Sequence, residues 1–477
     1  MRSSFANPSG GPITRREALR TSACGFGALA LAALTGKTRA AGGESPLAAK
    51  PAHFEPKVKR VIFLFMEGGP SHVDTFDYKP MLAKYDGKAP PYDQPSAGST
   101  GHKDSVMQVS PFKFQQHGES GLWISDRFPH LAQHADDLCL INSMHHETGQ
   151  HEQGCVMMHT GEFRFIRPSM GSWIAYGLGS ESENLPGYVV VNPRDRNESN
   201  GCYASAFLPA VYDATIMRDV GRGDVPPIRN VQNPLWRTEQ QRRQLDFIQS
   251  LNADLRQRRA ADSDVDAVIE SYERAFRMQT AVPQLLDLSG ETAATLESYG
   301  INAKGQGGPF AMQCLLARRM AEAGVRFIEV SQGGWDHHNS LVKNMTGVAK
   351  NVDQPIAALI GDLKQRGLWS DTLLVWGGEF GRTPAIEDMK DKEFGRDHNG
   401  AGFTYWLAGG GVKGGLRYGA TDELGWFAAD NKVHVHDLHA TILHLLGLDH
   451  KRLTFRYGGR DYTLTDVDGE VVHDILA

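Results

Sequence analysis

Residues 58–66 are apolar apart from Lys59 and Arg60, and the run stops at Glu67-Gly68-Gly69-Pro70. A short apolar run that ends in turn residues predicts a strand buried on both faces. Residues 324–330, 372–376 and 403–407 repeat the pattern, each closing in a Gly-rich or polar turn. Between the second and third runs, residues 355–366 put Ile356, Leu359, Ile360 and Leu363 on one helical stripe. Strand, helix and strand at this spacing predict an α/β fold: a mostly parallel central sheet with helices on both faces. The middle of the chain has a different period. Leu245, Ile248, Leu251 and Leu255 form one stripe, and Val265, Val268, Ile269, Tyr272 and Phe276 form another, so a helical insertion is expected at about 235–300.

A chain of 477 residues at 40% hydrophobic content can bury a large core, which favours one big domain over 58–477 with that insertion. The net charge of -6 and a pI near 6.3 leave no basic excess for a phosphate backbone, so no nucleic-acid partner is expected. Five cysteines without a C-x-x-C spacing argue against a zinc-thiolate site or a disulfide framework. Thr14-Arg15-Arg16-Glu17 precedes an apolar stretch from Cys24 to Leu34 and small residues at Ala40-Ala41. That order reads as a twin-arginine signal peptide over 1–40, followed by a Pro- and Ala-rich linker over 41–57. The apolar stretch is short for a membrane span, so the expectation is export to the periplasm or beyond, with no stable membrane insertion after cleavage. Cys24 stands before the apolar stretch rather than after it, which argues against lipidation.

Polar residues collect where the predicted strands end, the edge at which parallel α/β sheets present ligands. Glu67, Ser71, His72, Asp74 and Asp77 follow the first run; Asp336, His337 and His338 follow the second; Glu379 and Arg382 follow the third; Arg396-Asp397-His398 precedes the fourth. Carboxylates and imidazoles drawn from several strand ends suit a divalent-metal hydrolytic site. The candidate ligands are Glu67, Asp74, Asp336, His337 or His338, Glu379, Asp397 and His398. Each has a structural reading beside the chemical one. Asp74 and Asp77 suit helix or turn caps, Asp77 above all, while Glu379 with Arg382 and Asp397 with Arg396 suit ion pairs. Of the adjacent His337 and His338, one is expected to face a shared centre. Residues 145–161 hold four histidines, with a helix predicted to begin near His151, where free amides and the positive dipole end favour an anionic group. A histidine-rich surface loop is the alternative there.

Together Gly68-Gly69-Pro70-Ser71-His72, Trp335-Asp336-His337-His338, Gly378-Glu379-Phe380-Gly381-Arg382-Thr383-Pro384 and Gly395-Arg396-Asp397-His398 resemble a family of exported bacterial proteins labelled domain of unknown function 1501. That family is placed in the alkaline phosphatase-like superfamily, and residues 437–448 resemble a sulfatase helix. The resemblance implies an alkaline phosphatase/sulfatase-like fold. By order it also implies metal ligands at Glu67 (or its neighbour Asp74), Asp336 with His338, Glu379 and His398, with zinc, calcium, magnesium or manganese as the ion. In the superfamily the nucleophile precedes a Thr-Gly pair by a fixed helical spacing. Counted back from Thr160-Gly161, that spacing lands on His151, a base, ligand or nucleophile, with Thr148 the next catalytic candidate. Cys155 lacks the Pro and Arg that direct formylglycine formation, so sulfatase-type activation is not expected. The implied function is metal-dependent hydrolysis of an anionic phosphate or sulfate ester. Its alternative is a non-catalytic exported protein that binds a sulfated or phosphorylated polymer or a protein partner. A serine hydrolase built on Ser71 fits less well, because no Gly-x-Ser-x-Gly elbow surrounds it.

Overall fold

The computed structural model describes residues 46–91, 105–221, 227–228, 231, 235–258, 263–302, 308–387 and 393–477, and the expected signal peptide lies outside them. The first apolar run forms β1 (Arg60–Met66), buried along its whole length. Its side chains alternate between two cores: Ile62, Leu64 and Met66 enter one, and Val61, Phe63 and Phe65 the other. A strand wanted by two cores must lie inside a sheet covered on both faces.

Along the chain the remaining sheet strands and the hairpin beside them are β2 (Leu138–His145), β3 (Tyr188–Val191), β4 (Thr215–Met217), β5 (Phe327–Gln332), β6 (Thr372–Gly377), β7 (Gly381–Ile386), β8 (Arg396–Asn399), β9 (Phe403–Gly409), β10 (Leu416–Tyr418) and β11 (Val433–His434). The sheet runs β10-β2-β9-β6-β1-β5-β3-β4, with β11 also on β2, and β7 with β8 forms a separate antiparallel hairpin. Every sheet pairing is parallel except the two made by β9. The fourth apolar run is therefore a strand, but it runs against its neighbours. Its start, and the β7–β8 hairpin that leads into it, thus lie at the edge where the parallel strands end.

Helices cover both faces. On one face lie α5 (Pro309–Glu322) and α6 (Leu341–Gln365); on the other lie α1 (His151–Thr160), α2 (Met170–Leu178) and α7 (Val435–Leu445), while α3 (Thr238–Arg258) and α4 (Ser263–Leu286) carry the two middle stripes. The helix expected from residue 355 begins instead at Leu341, with Pro355 inside it. A proline in a helix interior costs about 3 kcal/mol. Met345, Val352, Ile356, Leu359, Ile360 and Leu363 are all buried on the first core, and full burial of such side chains contributes about 1.5–3 kcal/mol each, so packing wins. Among the described residues no helix is long and apolar enough to cross a membrane.

Candidate metal centre

Five segments converge at this sheet edge: the turn after β1, the loop after β5, the turn between β6 and β7, the strand β8 and the start of α1. Gly68 makes the closest approach possible. Its φ of +117° suits glycine, and a Cβ there would lie 2.4 Å from the Asp336 nitrogen. Its N–H donates to both Glu379 carboxylate oxygens at 2.9 and 3.0 Å. Gly154 does the same for α1, since a Cβ there would meet Glu379 Cβ and Phe380 at 3.2 Å. The helix can therefore lie against the β6–β7 turn, with His151 as its first residue.

Asp336 is the point of convergence. His338 Nε2 lies 2.8 Å from its Oδ1, His398 Nε2 lies 3.4 Å from the same atom, and His151 Nε2 lies 3.1 Å from its Oδ2. One ligand atom from each of the four residues falls within 4.8 Å of the others. Each imidazole is held from behind through Nδ1. His151 faces Glu379 Oε1 at 2.6 Å, His398 faces the Gly149 carbonyl at 2.6 Å, and His338 faces Glu387. An acceptor behind Nδ1 keeps the proton there and turns the Nε2 lone pair toward the centre, which is how metal-ligating histidines are oriented. His151 Nε2 is buried and has no properly directed hydrogen bond despite its closeness to Asp336, as expected of two ligands facing one ion. The donor set fits a divalent ion.

Charge is concentrated here. Burial works against ionisation of Asp336, but His151, His338, His398 and the Arg382 guanidinium hold its carboxyl far below the usual range. Asp336 and Glu387 push His338 up to about 9. Burial opposes a charge on His151, yet the Asp336 and Glu379 carboxylates beside it raise it, whereas burial lowers His398. Arg382 is itself buried, bonded to the Gly68, Gly69 and Arg396 carbonyls as well as to Asp336.

Other candidates sit elsewhere. Glu379 lies behind His151 rather than among the four. Glu67 turns away from the cluster to Arg194 Nε at 2.7 Å and Asn197 Nδ2 at 2.6 Å, and burial pushes its carboxyl up to about 7. Asp74 is fully buried against Arg396, 2.7 Å from its Nε, and accepts from Ser71 Oγ. Asp77 is no cap; it pairs with Lys79 at 3.1 Å and accepts from Thr421. Asp397 accepts from the His398 N–H at 2.7 Å and groups with His338 and Glu387 beside the four. The Thr148 hydroxyl is spent at the start of α1, donating to Gln153 Oε1 at 2.8 Å and accepting from Gln150 N at 3.2 Å. His337 is buried and is not one of the four, and burial lowers it to about 4. Glu387 and the Gly149 carbonyl had no signal in the sequence, because a single glutamate in a loop and a backbone oxygen carry no pattern.

Fold and site together define an α/β protein with a three-histidine, one-aspartate cluster at the carboxyl edge of its sheet. The chain belongs to the family described as protein of unknown function (DUF1501), which matches residues 58–476. Comparison of the sequence with curated proteins finds no match. Among solved structures it is similar to a protein in the alkaline phosphatase superfamily from Vibrio parahaemolyticus, at 10% identity and a TM-score of 0.36 over 86% of this chain and 71% of that one. It is also similar to a phosphonate monoester hydrolase from Silicibacter pomeroyi, at 13% identity and 0.35 over 87% and 76%. The alkaline phosphatase of the Antarctic bacterium TAB5 follows at 13% and 0.34 over 82% and 99%.

Proposed function

We propose that this chain is an exported, metal-dependent hydrolase of phosphate or sulfate monoesters, with His151, Asp336, His338 and His398 holding the ion. The observation that carries the reading is the convergence of three Nε2 atoms on one carboxylate, each ring fixed by an acceptor behind Nδ1. Three imidazoles and one carboxylate suit zinc, or another late first-row ion, better than magnesium or calcium, which prefer all-oxygen sites. Bound there, a divalent ion supplies Lewis acidity for an ester oxygen and lowers the pKa of water, which is hydrolytic chemistry at neutral pH.

The chain's own residues do the rest. Asp336 is more than a third exposed, so the cluster opens to solvent and to a substrate, and the buried Arg382 guanidinium behind it holds the carboxylate in place. Glu379 holds the His151 proton at Nδ1, and Gly149 does so for His398. Cys155 is buried, with its thiol pushed up by that burial, so it is no sulfatase-type nucleophile. The twin-arginine pattern of Arg15 and Arg16 supports export.

Metal analysis of the purified mature chain should find about one tightly bound zinc-like ion per molecule. Panels of phosphate, phosphonate and sulfate esters then test turnover. A chain without tightly bound divalent metal overturns the reading. A metal-loaded chain that turns over none of the esters is the non-catalytic binding protein instead.

A further inference from the structure

A second concavity, a cleft of about 760 Å³, opens over the carboxyl ends of β3, β4 and β5, beside the metal cluster and outside it. It lies within the range of about 300–1,000 Å³ that holds a small-molecule ligand. Two segments join it to the cluster. Glu67 lies in its wall, one residue before Gly68, which packs on Asp336 and donates to Glu379. Gln332 and Gly333 lie in the wall as well, and the same loop continues to Asp336.

We propose that this cleft binds a neutral, polyhydroxylated group, a sugar unit, and so holds the alcohol part of the ester hydrolysed at the metal centre. The second clause rests on the hydrolase reading; the binding itself does not. The charges in the wall select against a polyanion, since Asp219 stands there beside the paired Glu67 and Asp195. Arg194 is paired with Glu67, and Arg218 is paired with Asp195 and with Glu198 nearby, so neither guanidinium is unpaired for a polyanion. The lining then presents the side-chain amides of Gln313, Gln332 and Asn351 and the carboxylate of Asp219, while the Ser331 hydroxyl is turned to Glu329 Oε1 at 3.2 Å. Amides both donate and accept and a carboxylate accepts, which together match the hydroxyls of a sugar.

Gln313 is the strongest pointer. It is 2% exposed, its Nε2 reaches the Val220 carbonyl at only 3.5 Å, and its Oε1 has no hydrogen-bond partner. A buried amide oxygen left unpaired in the wall of a cavity is costly unless a ligand donor or water completes it.

Saturation-transfer NMR of the purified chain with methyl glucoside, maltose, cellobiose and lactose, with and without chelator, tests this directly. At least one saccharide should bind in both conditions. Gln313→Leu should weaken its binding at least tenfold. Asn351→Ala, at an exposed rim position where folding is not at stake, should weaken it severalfold. Metal content should not change in either variant. If none of the four saccharides binds, or if both folded variants bind as the parent does, the assignment of the cleft is overturned whatever the ester panels show. Saccharide binding in a chain that hydrolyses no ester upholds the cleft and sinks the hydrolase reading alone.

Discussion

Asp336 touches three imidazoles and a guanidinium, while Glu379 touches only the back of one imidazole and the Gly68 amide. The two carboxylates therefore have different work, and variants should separate them. His398→Ala removes a donor atom and should abolish tight metal binding. Glu379→Gln keeps the donors but loosens the orientation of His151, and should weaken metal binding by about 10–100-fold. Isothermal titration with zinc reads both; equal losses would make Glu379 a ligand. pH offers a second handle at this scale. His338 in the metal-free protein is raised from 6.5 to about 9 by Asp336 and Glu387. A raised imidazole stabilises the metal-free fold below its unfolded pKa, and that contribution is lost as pH climbs through about 9. A metal must displace the same proton, so its apparent affinity should rise about tenfold per pH unit up to about 9. A chelator competition series across that range checks the slope, and a flat profile would show that His338 is not a ligand. Asp336, His338 and His398 were legible because they stand in motifs at predicted strand ends. Glu67 and Asp74 shared that property, yet a position at a strand end does not say which way a side chain turns. Arg194 and Arg396, distant in sequence, hold them elsewhere.

Three elements show how packing places the site. The hairpin of β7 and β8 is tied to the turn after β1 by Asp74 and Arg396, both fully buried. Removing one partner leaves a buried charge uncompensated, so Asp74→Ala should cost about 3–5 kcal/mol in urea denaturation. Because Asp74 lies off the cluster, the fraction that remains folded should still bind metal; loss of binding with little loss of stability would make it a ligand. α1 is the second element. Its spacing to Thr160-Gly161 is visible in the sequence, and Gly161 ends the helix in the left-handed conformation. What puts His151 at the centre is Gly154, whose missing side chain lets the helix lie against Glu379 and Phe380. The third is β9. Its apolar run predicts a strand but carries no sign of direction, and the antiparallel pairing is what brings His398 to the ligand edge.

For the whole molecule, the twin-arginine reading makes its own prediction, since the charge pair, apolar stretch and small residues stand in signal order. Replacing Arg15 and Arg16 by Lys should leave the precursor in the cytoplasm on fractionation, and normal export of that double variant would refute the signal. Periodicity alone determined the α/β class, the buried first strand and the helical stripes, because burial on both faces of a sheet, or along one side of a helix, imposes local patterns of fixed period. Family motifs determined most of the residues brought to the centre. Tertiary structure decided what local pattern cannot encode: the reversed direction of β9, the extension of α6 through Pro355, and which carboxylates face an imidazole rather than an arginine. Those outcomes depend on contacts between residues hundreds of positions apart, such as Glu379 with His151 and Asp74 with Arg396, and such contacts exist only once the sheet has assembled.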